Sequence, residues 1–129
     1  MATNTQTVQP LTTIISDITF ADTGTVEIGS IPPGAILVDL KVFVGTVYDS
    51  VTSDSLSVGH GAYGNTAADV DEFETAINLQ SAGNASLTIL QLGQVISATD
   101  NVPITVSTTS VGGSLSAGAA TVLFTYAQK

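Results

Sequence analysis

Ile31-Pro32-Pro33-Gly34-Ala35-Ile36-Leu37-Val38-Asp39-Leu40-Lys41-Val42-Phe43-Val44-Gly45-Thr46 is the stretch on which the reading of this chain turns. Its two prolines remove two backbone donors and its glycine permits a tight turn, so the preceding element stops at Ile31. From Ala35 to Thr46 the side chains then alternate with a period of two, the mark of a strand with one buried face. Val38, Leu40, Val42 and Val44 fall on one side, the expected core face. Leu37, Asp39, Lys41 and Phe43 fall on the other. The Asp39 and Lys41 charges, two residues apart, mark that side as solvated or covered by a partner.

The same period recurs upstream and downstream. Ile14, Ser16, Ile18 and Phe20 share a face, and Asp22-Thr23-Gly24 turns the chain into a short strand with Val26 and Ile28 inward. Leu56 and Val58 belong to a strand ended by Gly59-His60-Gly61. Leu87 to Leu92 and Gln94 to Thr99 read as two strands about Gly93, itself a candidate bulge. Asp100-Asn101 turns into Val102, Ile104, Val106 and Thr108, with Pro103 at the strand's start or on an edge. After Gly112-Gly113 and Gly118, the residues Ala120, Val122, Phe124 and Tyr126 alternate with Thr121 and Thr125. One segment departs from the pattern. Over Asp69 to Ile77 the residues Val70, Phe73, Ala76 and Ile77 recur near helical spacing behind an acidic first turn, which predicts at most one short helix near residues 69–77. Eight or so short strands with turns about every ten residues predict a single-domain, all-β antiparallel sandwich, jelly-roll-like. Residues 1–11 read as an N-terminal arm and residues 12–129 as the sandwich.

Composition bounds what such a sandwich can do. At 129 residues the chain can bury roughly two-thirds of its unfolded surface, and 43% hydrophobic against 10% charged residues argues against disorder. No apolar run approaches the roughly 20 residues of a membrane-spanning helix. There are no cysteines, hence no disulfide framework. Eleven Asp and Glu face two lysines, Lys41 and Lys129, with no arginine, for a formal charge of −9. Nucleic acid and anionic membranes, which are bound through Lys and Arg, are thereby excluded as partners. A chain with so few charges exposes much neutral or apolar surface, which favours burial against other subunits. The opening Met1-Ala2-Thr3-Asn4-Thr5-Gln6 has neither the basic nor the apolar stretch of a secretory leader, and the sequon Asn84-Ala85-Ser86 reads as a turn.

The residue types for catalysis are nearly missing. His60 is the sole imidazole, and it sits in a glycine-rich strand end with no Gly-x-Ser-x-Gly elbow anywhere. A zinc site would need several Cys or His ligands. No catalytic residue, cofactor-binding residue or cofactor is therefore expected. In Asp69-Val70-Asp71-Glu72-Phe73-Glu74, the side chains of Asp69, Asp71 and Glu72 are candidate oxygen ligands for a cation such as calcium. The run lacks the glycine and closing Glu of an EF-hand, and acidic residues also suit a solvated helix start. Paired carboxylates could serve glycoside cleavage, but sugar clefts rely on aromatic platforms, and this chain has no Trp, three Tyr and four Phe.

Val26-Glu27-Ile28-Gly29-Ser30-Ile31-Pro32-Pro33-Gly34-Ala35-Ile36-Leu37-Val38, followed by Asp54-Ser55-Leu56-Ser57-Val58-Gly59, resembles small structural proteins of tailed bacteriophages. In those, a strand ending Ile-Pro-x-Gly-Ala precedes a long hydrophobic strand, a polar loop and a Leu-x-Val-Gly strand. Phe73 to Leu79 also fits, as does Ala117-Gly118-Ala119-Ala120 ahead of a strand closing in Phe124-Thr125-Tyr126. The likeness runs from about residue 24 onward and is to head decoration, or cement, proteins. It implies a non-enzymatic module on the outer surface of the virion's capsid, assembled in the host bacterial cytoplasm. Its implied partner is the major capsid protein, with a homo-dimer or homo-trimer as the working form. An acid excess suits that place, because a packaged genome fills the shell with negative charge. Val8, Pro10 and Leu11, apolar on an otherwise polar tail, are the expected capsid contacts, although such an arm can also simply fray. Two alternatives stand beside this reading: a tail or fibre component, and a small extracellular sugar- or calcium-binding module.

Overall fold

The structure, a computed structural model, describes residues 10–128. Eight strands follow in chain order: β1 (Leu11–Thr19), β2 (Gly24–Ile31), β3 (Ala35–Thr46), β4 (Ser53–His60), β5 (Asp69–Asn78), β6 (Gly83–Asn84), β7 (Val102–Val111) and β8 (Ala119–Gln128). They form two antiparallel four-stranded sheets, ordered β1-β8-β3-β6 and β2-β7-β4-β5. Pairing runs β1 with β8, β2 with β7, β3 with β6 and β4 with β5. That is one long antiparallel ribbon, with its tip at the β4–β5 connection, rolled so that successive lengths fall in alternate sheets. The expected β-sandwich is therefore a jelly roll. Leu11, assigned to the arm by sequence, already pairs with Ala127.

Between the sheets lies one core. Leu40, Val42 and Val44 of β3 and Val122 and Phe124 of β8 face Leu56 and Val58 of β4 and Ile104 and Val106 of β7. Phe73 of β5 and Phe124 meet edge to face across the sandwich, ring centroids 5.4 Å apart. Such a pair adds roughly 0.5–1.5 kcal/mol beyond its buried area. The Pro-Pro-Gly break works as expected: Gly34 takes φ 82°, a region that favours glycine, and β3 begins at the next residue.

Four local expectations are corrected. Leu37, not Val38, belongs to the core: the β3–β8 register shifts between Leu37 and Asp39, so Val38 is an extra bulge residue turned outward. Residues 69–78 form a strand rather than a helix. Between Leu56↔Ile77 and Val58↔Glu74, β5 spends three residues where β4 spends two, and between Val58↔Glu74 and His60↔Asp69 it spends five. These bulges, one with Ala76 at φ 54°, place the buried Phe73 and Ile77 four residues apart and so imitate a helical period. The stretch from Leu87 to Thr99 makes no strand ladder. Ala85, Leu87 and Ile89 do alternate inward against the core, held by single backbone bonds, Ala85 N–H to Val42 of β3 and Leu90 N–H to Phe73 of β5, rather than by a ladder. Further along, Gly93 and Ile96 donate to Leu37 and Ala35 of β3, and Val95 bridges Ile36. Asn84, finally, sits in β6 opposite Phe43 rather than in a turn.

Candidate functional site

His60 ends β4 with its side chain pointing into the core at 4% exposure. Its Nδ1 lies 2.8 Å from the Gly61 carbonyl oxygen, and its ring packs against Tyr63 and Phe73. With no hydroxyl or thiol bonded to it, it is a satisfied core histidine. Asp69, Asp71 and Glu72 come together at the start of β5, on the edge of the second sheet. Asp69 accepts the Asp71 backbone N–H, and hydrogen bonds from Asp71 hold its carboxyl below the usual range. Sharing with Asp69 pushes Asp71 up, while burial and then Asp69 push Glu72 up. The Glu72 carboxylate also accepts from Gln91 Nε2 at 3.0 Å. Among the described residues no group of three His, Asp or Glu side chains is arranged to hold a metal ion.

Other carboxylates work on the backbone. Glu74, buried, accepts the N–H groups of Thr88 and Ile89 at 2.6 and 3.0 Å through one oxygen. It supplies the bonds that a neighbouring strand would have given this segment. Asp54 accepts from Ser50 N–H and from Gln80 Nε2, tying the β3–β4 loop to the end of β5. Asp49 takes the Ser116 hydroxyl and the N–H groups of Ser116 and Ala117, which holds its carboxyl low and joins the loops before β4 and β8. Gly59 permits the Asp69–Val70 backbone to cross its face: a Cβ there would stand 2.0 Å from the Asp69 carbonyl oxygen.

The two outer faces differ in kind. On the β2-β7-β4 face the register aligns Thr25, Ser107 and Ser57, with Glu27, Thr105 and Gly59 in the next row. Thr25 and Ser107 bond side chain to side chain at 2.7 Å. On the β1-β8-β3 face one row crosses the sheet as Leu11, Ala127, Ile36 and Val95, and another as Ile15, Leu123 and Lys41. Of the contact residues expected from sequence, Pro10 and Leu11 are exposed at the start of this face, and Val8 lies outside the described residues. The apolar rows themselves were missed. Their signal was available: apolar side chains at the outward positions of well-alternating strands, Ile15 between Ile14 and Ser16, and Leu123 between Val122 and Phe124.

No protein-family model matches this sequence, and no curated protein matches it. The fold does have solved counterparts. It is similar to a chain of the cyanophage Pam1 capsid asymmetric unit, with TM-score 0.69 and 15% identity over 100% of this chain and 92% of that one. It is also similar to a chain of the acidic stable capsid of Helicobacter pylori bacteriophage KHP30, with TM-score 0.61 and 13% identity over 93% and 90%. At such identities the likeness establishes a shared fold.

Proposed function

We propose that this chain is a non-enzymatic structural protein of a phage virion, a decoration protein that binds the outer surface of the head and braces the lattice of major capsid proteins. The observation that carries the reading is the end-to-end fold correspondence with two chains from phage capsids, covering at least 90% of each of them. Chains of this size match whole, not as a fragment of a larger subunit. The polar groups support a scaffolding role: Glu74, Asp54 and Asp49 spend their acceptors on loops, and the lone imidazole is packed in the core. A charge of −9 favours the side of a shell away from packaged genome. A protein that binds only the assembled lattice stabilises it by its binding free energy, and many copies multiply a weak contact. Mixing the purified chain with undecorated heads tests this. Saturable, stoichiometric binding with a raised disruption temperature is expected, and absence of binding to heads refutes the reading.

A further inference from the structure

We propose that the open edge of β1 takes an extended segment of a different protein, added antiparallel as a fifth strand of the first sheet. The proposal stands on that edge and does not rest on the virion reading. Phe20, one step beyond the β1–β8 register, donates its N–H to the Gly118 carbonyl at 3.0 Å. Residues in step with it, Thr12, Ile14, Ser16 and Ile18, therefore turn their backbone groups toward β8. Thr19 turns the other way, its N–H to the Asp22 carboxylate and its carbonyl to the Asp22 N–H. Leu11, Thr13, Ile15 and Asp17 point outward like Thr19, and among the described residues nothing bonds their N–H and C=O groups.

The three other sheet edges are blunted in ways that discourage strand addition. β2 is bulged between Glu27 and Gly29, β5 is bulged twice, and β6 is two residues long. β1 runs nine residues in unbroken register. Its outward donors and acceptors repeat over about 20 Å at a strand's spacing, a pattern that an extended polypeptide answers. The side chains narrow the choice. Ile15 and Leu11, 66% and 59% exposed, call for apolar residues at alternate positions of the added strand. Asp17, the only charge in β1, calls for Lys or Arg opposite. This chain answers poorly itself: residues 1–9 hold no Lys or Arg, Lys41 stands in β3, and a second copy also carries −9.

NMR of the isotope-labelled full chain tests the proposal. In the free chain the amides of Leu11, Thr13, Ile15 and Asp17 are expected to exchange at least about 100-fold faster than those of Ile14, Ser16 and Ile18. The probe is acetyl-Lys-Thr-Ile-Val-Thr-Thr-Val-Lys-amide, which sets Lys opposite Asp17 and Ile opposite Ile15. It should bind with Kd below about 1 mM and protect the four amides. N-methylating the probe opposite Thr13 and Ile15 should abolish binding. So should Ile15→Pro, which removes an outward donor and no β8 bond. Asp17→Lys should weaken binding at least fivefold, and it reports even if Ile15→Pro harms folding; Ser107→Glu on the other sheet should change nothing. Protection of the four amides in the free chain at every concentration would assign the edge to residues 1–9, and protection that grows with concentration would assign it to a second copy. Either result, or no probe binding at about 1 mM, would overturn the proposal.

Discussion

β1 and β8 pair residue against residue at nine successive positions, whereas β4 and β5 hold four registered pairs over a comparable length. In the regular ladder the backbone satisfies itself, and its outward side chains are free to be chosen for contact. In the irregular one the backbone needs help. Gly59 makes room, Asp69 takes up the free N–H of Asp71 at the sheet edge, and Glu74 secures the following loop. One sheet spends its surface outward, the other on itself.

The largest effect is expected where the irregular region has no slack. Gly59→Ala sets a methyl against the Asp69 and Val70 backbone, which cannot yield as a side-chain end would. Thermal unfolding should show a loss of about 3 kcal/mol, roughly 10 °C, and a shift under about 2 °C would mean that β5 does not cross Gly59 closely. A smaller effect, of opposite sign, is expected at the acidic edge. Asp71 holds its proton more tightly in the fold than in the unfolded chain, so its contribution is favourable at low pH and is lost as pH rises through its raised value. Asp71→Asn should therefore raise Tm by about 1–2 °C at pH 7, and the gain should vanish toward pH 3. Asp49 runs the other way, its lowered value giving stability that disappears as pH falls below the ordinary carboxylate range. Smallest of all is the expected effect of Ile15→Glu on Tm. A near-zero change in melting would sharpen the contrast; a large destabilisation would show that the regular face serves folding after all.

Much of this fold was legible in the sequence, for reasons particular residues make plain. The Pro-Pro-Gly break set the start of β3 at Ala35, and clean alternation from Ala120 to Phe124 gave the inward face of β8. What misled was local register. The Val38 bulge exchanges the inward roles of Leu37 and Val38 without any change in hydrophobicity, so alternation alone cannot detect it. Extra residues in β5 convert a period of two into a spacing of four. Around Leu87 and Ile89 the alternation is genuine but records packing on the core, while the N–H groups go to a glutamate fourteen residues upstream that no periodicity reveals. The candidate acids were found by composition. The outward apolar residues were each visible in the alternation of their own strand, but their assembly into rows was not, because each row is built from strands distant in sequence.

Cryo-electron microscopy of virions of any phage whose genome encodes this chain is the most direct test of the proposed role. Jelly-roll density on the exterior of the head, repeated on the lattice and seated across neighbouring capsid subunits, is the result it predicts. Particles that lack the chain, or that carry it only in the tail, would contradict it.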